Sequence, residues 1–141
     1  MIKTATTDID IENCFEVMLE LRTHLKKEGF LSIIRHMETE GYKLVFIEHD
    51  DKVVAAAGYR VRTNLFMGKN LYVDDLITLK NARSRGYGAQ LVNWLREVAK
   101  KENCNFYHLD SGTQRGEAHK FYFRQGFTIA SYHFSERLGD H

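Results

Sequence analysis

The chain has 141 residues, of which 43% are hydrophobic and 28% charged, and its formal net charge is +1. That is the commonest size for one domain with a core of its own, and a single domain over residues 1–141 is expected. A charge this close to neutral argues against nucleic acid or an anionic membrane as partner, so no nucleic acid and no membrane is expected.

Cys14 and Cys104 are spaced like neither a zinc site nor a disulfide framework. Both fall on apolar stripes and read as core thiols. No pair among the seven histidines has metal-ligand spacing, so no metal is expected. The opening MIKTATTDIDIE lacks the pattern of a secretory leader, and no apolar run is long enough to cross a bilayer. A soluble, cytoplasmic protein is the expectation.

In chain order, Ile2 to Ala5 reads as a short strand. Asp8 or Asp10 then caps a helix whose apolar stripe is Ile11, Cys14, Phe15, Met18, Leu21 and Leu25. Arg22, Lys26, Lys27 and Glu28 read as its solvated end. A shorter helix carries Phe30, Ile33, Ile34 and Met37 and stops at Gly41. Tyr42 to Glu48 is a strand, His49-Asp50-Asp51 a turn, and Lys52 to Arg62 the next strand. After a turn at Gly68 comes the strand Leu71 to Leu79, and then the helix Ala89 to Glu102. A short strand, Asn105 to Asp110, precedes a helix from Gln114 to Gln125 that Gly126 ends, with Phe127 packing back on its last turn. Phe127 to Phe134 is the last strand. The order is β-α-α-β-β-β-α-β-α-β. Short turns imply antiparallel neighbours and a helical crossover a parallel pair, so an α/β fold with a mixed central sheet and helices on both faces is predicted.

Between the strand ending at Leu79 and the following helix lies Arg83-Ser84-Arg85-Gly86-Tyr87-Gly88-Ala89. A strand, a tight loop with glycines and a helix start form a place to hold a phosphate. Glycines let the backbone turn and approach a ligand closely. The free N–H groups and positive end of the helix then face the anion. The loop lacks the Lys-Ser/Thr pair of a P-loop and the third glycine of a dinucleotide fingerprint.

The pattern Arg83-Ser84-Arg85-Gly86-Tyr87-Gly88 resembles the acetyl-CoA loop of the GNAT superfamily of N-acetyltransferases. Downstream, Ala118-His119-Lys120-Phe121-Tyr122-Phe123-Arg124-Gln125-Gly126-Phe127 resembles the family's second motif, Ala-x-x-Phe-Tyr-x-x-x-Gly-Phe. The stretch from Leu109 to Arg115 is similar to a subgroup that includes aminoalkylphosphonate N-acetyltransferases. Two positions depart from the family pattern. Lys80-Asn81 stand where a proline is common, and Arg115 stands where an asparagine is common.

The resemblance implies acetyl-CoA as co-substrate and a primary amine as acceptor. A small polar amine is favoured over a protein amine, because the region from Leu25 to Met37 can wall the acceptor site and the domain carries no extra recognition module. The resemblance implies that the strand ending at Leu79 splays from the one ending at Asp110, with the pantetheine arm between them on the backbone of Leu76, Ile77 and Thr78. It implies that backbone N–H groups from Ser84 to Ala89 take the pyrophosphate, beside Arg83 and Arg85. Tyr122 is then the acid that protonates the leaving thiolate. The alternatives are a protein N-terminal or lysine acetyltransferase and a non-catalytic acyl-CoA-binding module. Family members are often homodimers.

The residues themselves offer a base. Strict alternation puts Asp75 on the face of Val73, Ile77 and Leu79, with Asp74 opposite. A carboxylate there needs a cleft, a buried partner or a raised pKa, and Asp75 is the base, an amine-binding group or structural, or else a bulge expected in this strand turns it out to solvent. Asp110, at a strand end, binds the acceptor's ammonium or caps the next loop. Ser111, Thr113 and Arg115 contact an anionic acceptor group, or Ser111 or Thr113 caps the following helix, and capping is preferred. His108 reads as a satisfied, half-buried side chain, His119 as a solvated one, and Trp94 as packed on the sheet or a partner.

Overall fold

The structure, a computed structural model, describes residues 1–140. These divide into two units, Met1–Leu109 and a second that begins at Asp110. The first unit holds β1 (Ile2–Thr4), α1 (Asp8–Asn13), α2 (Phe15–Leu21), α3 (Phe30–Glu38), β2 (Tyr42–His49), β3 (Lys52–Asn64), β4 (Gly68–Thr78), a 3-10 turn (Lys80–Ala82), α4 (Tyr87–Lys101) and β5 (Phe106–Leu109). The second holds α5 (Gly116–Arg124).

The five strands form one sheet in the order β1-β2-β3-β4-β5. The first four pair antiparallel, and β5 joins β4 in parallel through the α4 crossover. This is the mixed sheet the sequence predicts. One face packs on α2 and α3, and the other on α4. The centre of β3 runs Ala55-Ala56-Ala57, all at 0% exposure, and these small side chains let helices approach from both sides. Phe46, Leu44, Ile11 and Val17 fill the first layer; Leu71, Leu91 and Leu95 are equally buried. Tyr59 meets the Trp94 ring edge-on at 6.2 Å, which settles Trp94 as packed on the sheet. Asn70 is wholly buried; its amide donates to the Gly68 carbonyl and its oxygen meets His108 Nε2 at 2.8 Å, so both ends are satisfied. No helix among the described residues is long and apolar enough to cross a membrane.

Several boundaries differ from the sequence expectation. Thr7, rather than Asp8 or Asp10, is the first N-cap; its hydroxyl accepts from Asp10 N and the Asp10 carboxylate accepts from Thr7 N, a reciprocal box. The predicted first helix is two, because Cys14 N bonds back to Ile11 O with a tight i−3 step before α2 begins. Ile11, Cys14, Val17 and Met18 remain one buried stripe across that step. Leu25 lies outside the helix, which ends at Leu21. Residues 127–134 are assigned to no strand, and Ile129, Tyr132 and Phe134 are exposed.

Cys14 is at 0% exposure, and burial pushes its thiol up to about 12. At pH 8 only about one such thiol in 10⁴ is ionised. Cys104 is partly exposed. A colorimetric thiol titration of the native protein should therefore count one reactive cysteine, and the second should appear only in denaturant. Fast reaction of both in native buffer would contradict the buried placement of Cys14.

Candidate functional site

β3 and β4 pair in a continuous ladder except at one point. Gly58 stands opposite Asp75 and Tyr59 opposite Val73, so Asp74 is an extra residue, a β-bulge. An inserted residue bends the strand and inverts the alternation beyond it. This corrects the expectation that Asp75 shares a face with Val73 and that Asp74 points away. Val73 lies opposite Tyr59 on the α4 side, whereas the Asp75 and Asp74 side chains both turn to the α2 side.

There the two carboxylates are held by different arginines. Arg22, the C-cap of α2, donates from Nε to Asp75 Oδ1 at 3.0 Å, and its Nη2 lies 3.0 Å from the same oxygen. Nη2 also donates to the Asp74 carbonyl at 2.8 Å. Tyr42 donates its hydroxyl to Asp75 Oδ2 at 2.7 Å. Arg60 donates from Nε to Asp74 Oδ2 at 3.1 Å and lies over the Tyr42 ring at 5.6 Å. Of the alternatives the sequence left for Asp75, the structure supplies partners: the buried Tyr42 and the exposed Arg22. The Asp75 side chain is 13% exposed, so it is still open to a small molecule. Burial raises the pKa of Asp74, and Arg60 opposes that shift. Burial, then the Asp75 charge, raises the Tyr42 phenol well above its usual range, so it remains a donor.

Sequence reasoning missed Arg22 and Tyr42. Arg22 reads as part of a solvated helix end, and its partner lies 53 residues away, so nothing local marks it. Tyr42 reads as an ordinary strand residue.

Beyond the bulge, β4 has a neighbour on one side only. Its parallel ladder with β5 ends at the pair Val73↔Leu109, while its antiparallel ladder with β3 continues to Thr78. Within this unit no strand flanks Leu76, Ile77 and Thr78 on the β5 side, and alternate backbone groups of an edge point outward. Arg83 folds back to donate from Nε to the Thr78 carbonyl at 3.3 Å. The loop then passes through two left-handed residues, Ser84 at φ 68° and Gly86 at φ 84°. Gly86 is the N-cap of α4, and no side chain caps that helix. Its first intrahelical bond is Gln90 N to Gly86 O, so the N–H groups of Tyr87, Gly88 and Ala89 have no acceptor within the helix. The helix starts at Tyr87, two residues before the predicted Ala89. One bulged strand edge and one uncapped helix start are therefore joined by a single short loop, the arrangement expected for a ligand with an extended arm and an anionic end.

In the second unit Arg115 is the N-cap of α5, and no side chain caps that helix. Capping by Ser111 or Thr113 is thus not observed, because the helix begins at Gly116 rather than Gln114. Among the described residues the Ser111 hydroxyl is buried without a hydrogen-bond partner. Asp110 Oδ1 lies 3.9 Å from His133 Nδ1. His119 Nε2 meets the Gly112 carbonyl at 2.8 Å. The end of α5 follows the expected pattern: Gly126 has φ 94°, its N–H donates to Phe123 O, and Phe127 N donates to Tyr122 O at 3.1 Å. The Phe127 ring meets Tyr122 edge-on at 6.0 Å, and this contact fixes the tyrosine ring.

The acetyltransferase (GNAT) family profile matches residues 10–127, and the chain belongs to that family. It is 34% identical over 135 residues to the uncharacterized N-acetyltransferase YhdJ of Bacillus subtilis (strain 168), covering 94% of this chain and 95% of that protein. Over 66 residues, 47% of this chain and 43% of the relative, it is 29% identical to the aminoalkylphosphonate N-acetyltransferase of Salmonella typhimurium (strain LT2). Its fold matches AAC(6')-Iy, solved with a bisubstrate analogue, at a TM-score of 0.85 and 13% identity, covering 99% of this chain and 98% of that one. Family and relatives together make the chain an N-acetyltransferase.

Proposed function

We propose that this protein transfers the acetyl group of acetyl-CoA to the primary amine of a small polar molecule by direct attack in a ternary complex. The observation that carries the reading is the joined pair of a bulged β4 edge and the uncapped start of α4. Backbone N–H groups from Ser84 to Ala89 bind the pyrophosphate, with Arg83 and Arg85 adding charge. The outward groups of Leu76, Ile77 and Thr78 pair with the amides of the pantetheine arm. Two likenesses favour a small amine. AAC(6')-Iy was solved with CoA-S-monomethyl-acetylneamine, and a distant relative is an aminoalkylphosphonate N-acetyltransferase.

The reaction needs a neutral amine, an aligned thioester and a proton for the departing thiolate. Asp75 accepts the proton that the ammonium must lose. The amine nitrogen then bonds to the acetyl carbon, the C–S bond breaks, the sulfur takes a proton from Tyr122, and the proton that the amide nitrogen sheds returns through water to the tyrosinate. A backbone N–H past the bulge stabilises the oxyanion. For Tyr122 the support is the likeness of its motif and the chemistry of a phenol, which stays protonated at neutral pH until a strong base forms beside it. Asp110, Ser111 and Arg115 are proposed to contact the acceptor, and the partnerless Ser111 hydroxyl supports that assignment.

Mass spectrometry after incubation with acetyl-CoA and 2-aminoethylphosphonate, glucosamine, neamine, spermidine, lysine and a peptide with a free N-terminus tests the reading. It expects acetylation of at least one small amine. Acetylation of the peptide alone would favour a protein acetyltransferase, and CoA binding without any product would favour a non-catalytic module. Tyr122→Phe should lower kcat by about 10²–10⁴-fold with CoA affinity little changed. The loss should shrink with an acyl donor whose leaving group is better than CoA. Equal slowing of both donors would remove Tyr122 from the acid role.

A further inference from the structure

Tyr42 stands on β2 and Asp75 on β4, two strands away, a span of about 10 Å at ordinary strand spacing. Between them lies β3, and the position that separates them is Gly58, opposite Leu44 on one side and Asp75 on the other. A Cβ built on Gly58 would overlap the Tyr42 ring and hydroxyl. The ring therefore crosses β3 through the one place where the strand has no side chain. Tyr42 is 2% exposed, and its raised phenol keeps the proton it donates.

Counting acceptors on Asp75 shows what that reach achieves. An ionised carboxylate offers about four lone-pair sites, two on each oxygen. Arg22 Nε and Nη2 both stand 3.0 Å from Oδ1 and occupy that oxygen. Tyr42 takes one site on Oδ2. One site is left, and it is on the oxygen whose orientation Tyr42 sets.

We infer that Tyr42, admitted across β3 by Gly58, is a positioning residue for acetyl transfer, holding Asp75 so that the remaining Oδ2 lone pair meets the acceptor amine. This rests on the reading above that Asp75 accepts the amine's proton. Tyr42 touches neither substrate and acts through Asp75 alone. Gly58 is part of the same device, since any larger residue would displace the ring.

A double-mutant cycle tests it, measured with acetyl-CoA and the amine of the panel with the highest kcat/KM. Asp75→Asn should lower kcat by about 10²-fold or more, as expected for loss of a general base. Tyr42→Phe keeps the ring and should lower kcat about tenfold, the worth of one hydrogen bond to a charged group. The double variant should be no slower than Asp75→Asn alone, because the hydroxyl has nothing left to orient. KM for acetyl-CoA should stay within about twofold throughout, since uniform binding is untouched. Gly58→Ala should reproduce the Tyr42→Phe loss, and circular dichroism and Tm decide whether each variant is folded. Losses that multiply in the double variant, or a Tyr42→Phe effect confined to KM for acetyl-CoA, would overturn the assignment of Tyr42. An Asp75→Asn variant with unchanged kcat would instead overturn the role of Asp75 and the reading on which this one rests.

Discussion

The Asp75 carboxylate joins three parts of the first unit that the chain separates widely. Arg22 reaches it from the end of α2, Tyr42 from the start of β2, and its own backbone forms the strand just past the bulge. A part-buried acid with a single partner would carry an uncompensated desolvation cost. Here two donors of different kinds share it. The Arg22 bond to the Asp74 carbonyl adds a direct hold on the bulge itself. The bulge follows the last β4–β5 pair, Val73↔Leu109, and within the first unit no strand flanks the edge of Leu76, Ile77 and Thr78 on the β5 side. From that edge the chain passes through the 3-10 turn and the two left-handed residues into α4. The proposed co-substrate surface thus depends on a carboxylate placed one residue out of strict alternation.

Much of this was legible in the sequence. The helix layer, the antiparallel hairpins and the parallel crossover follow from apolar period and loop length, and the sheet agrees. The glycine loop was legible because Gly86 sits where a left-handed residue must start a helix without a side-chain cap. Gly126 and Phe127 announced the end of α5 for a related reason, and both make the bonds that this signal implies.

The rest depended on contacts that period and propensity do not encode. A bulge in this strand was among the alternatives, but its position was not, so strict alternation put Asp75 on the face of Val73 and Asp74 opposite. Arg22 looked solvated because its partner is remote in sequence. One signal was present: Gly58 interrupts a run of apolar and aromatic strand residues, and an isolated glycine in a strand marks a bulge or a close approach. In the structure it marks both. Residues 127–134 show the converse, since their apolar and aromatic content reads as a strand and the structure assigns none there.

The claim at the centre is that the start of α4 holds the pyrophosphate of acetyl-CoA. Gly86 is the residue to change, because a Cβ there meets nothing within 4 Å and only its φ of 84° resists a side chain. The strain of Gly86→Val is about 1–2 kcal/mol, small against the roughly 5–15 kcal/mol that hold a domain folded. Isothermal titration calorimetry of CoA against the folded variant is the direct measurement. The account predicts an affinity at least about tenfold weaker than wild type, or ~1.4 kcal/mol. An unchanged affinity would contradict it.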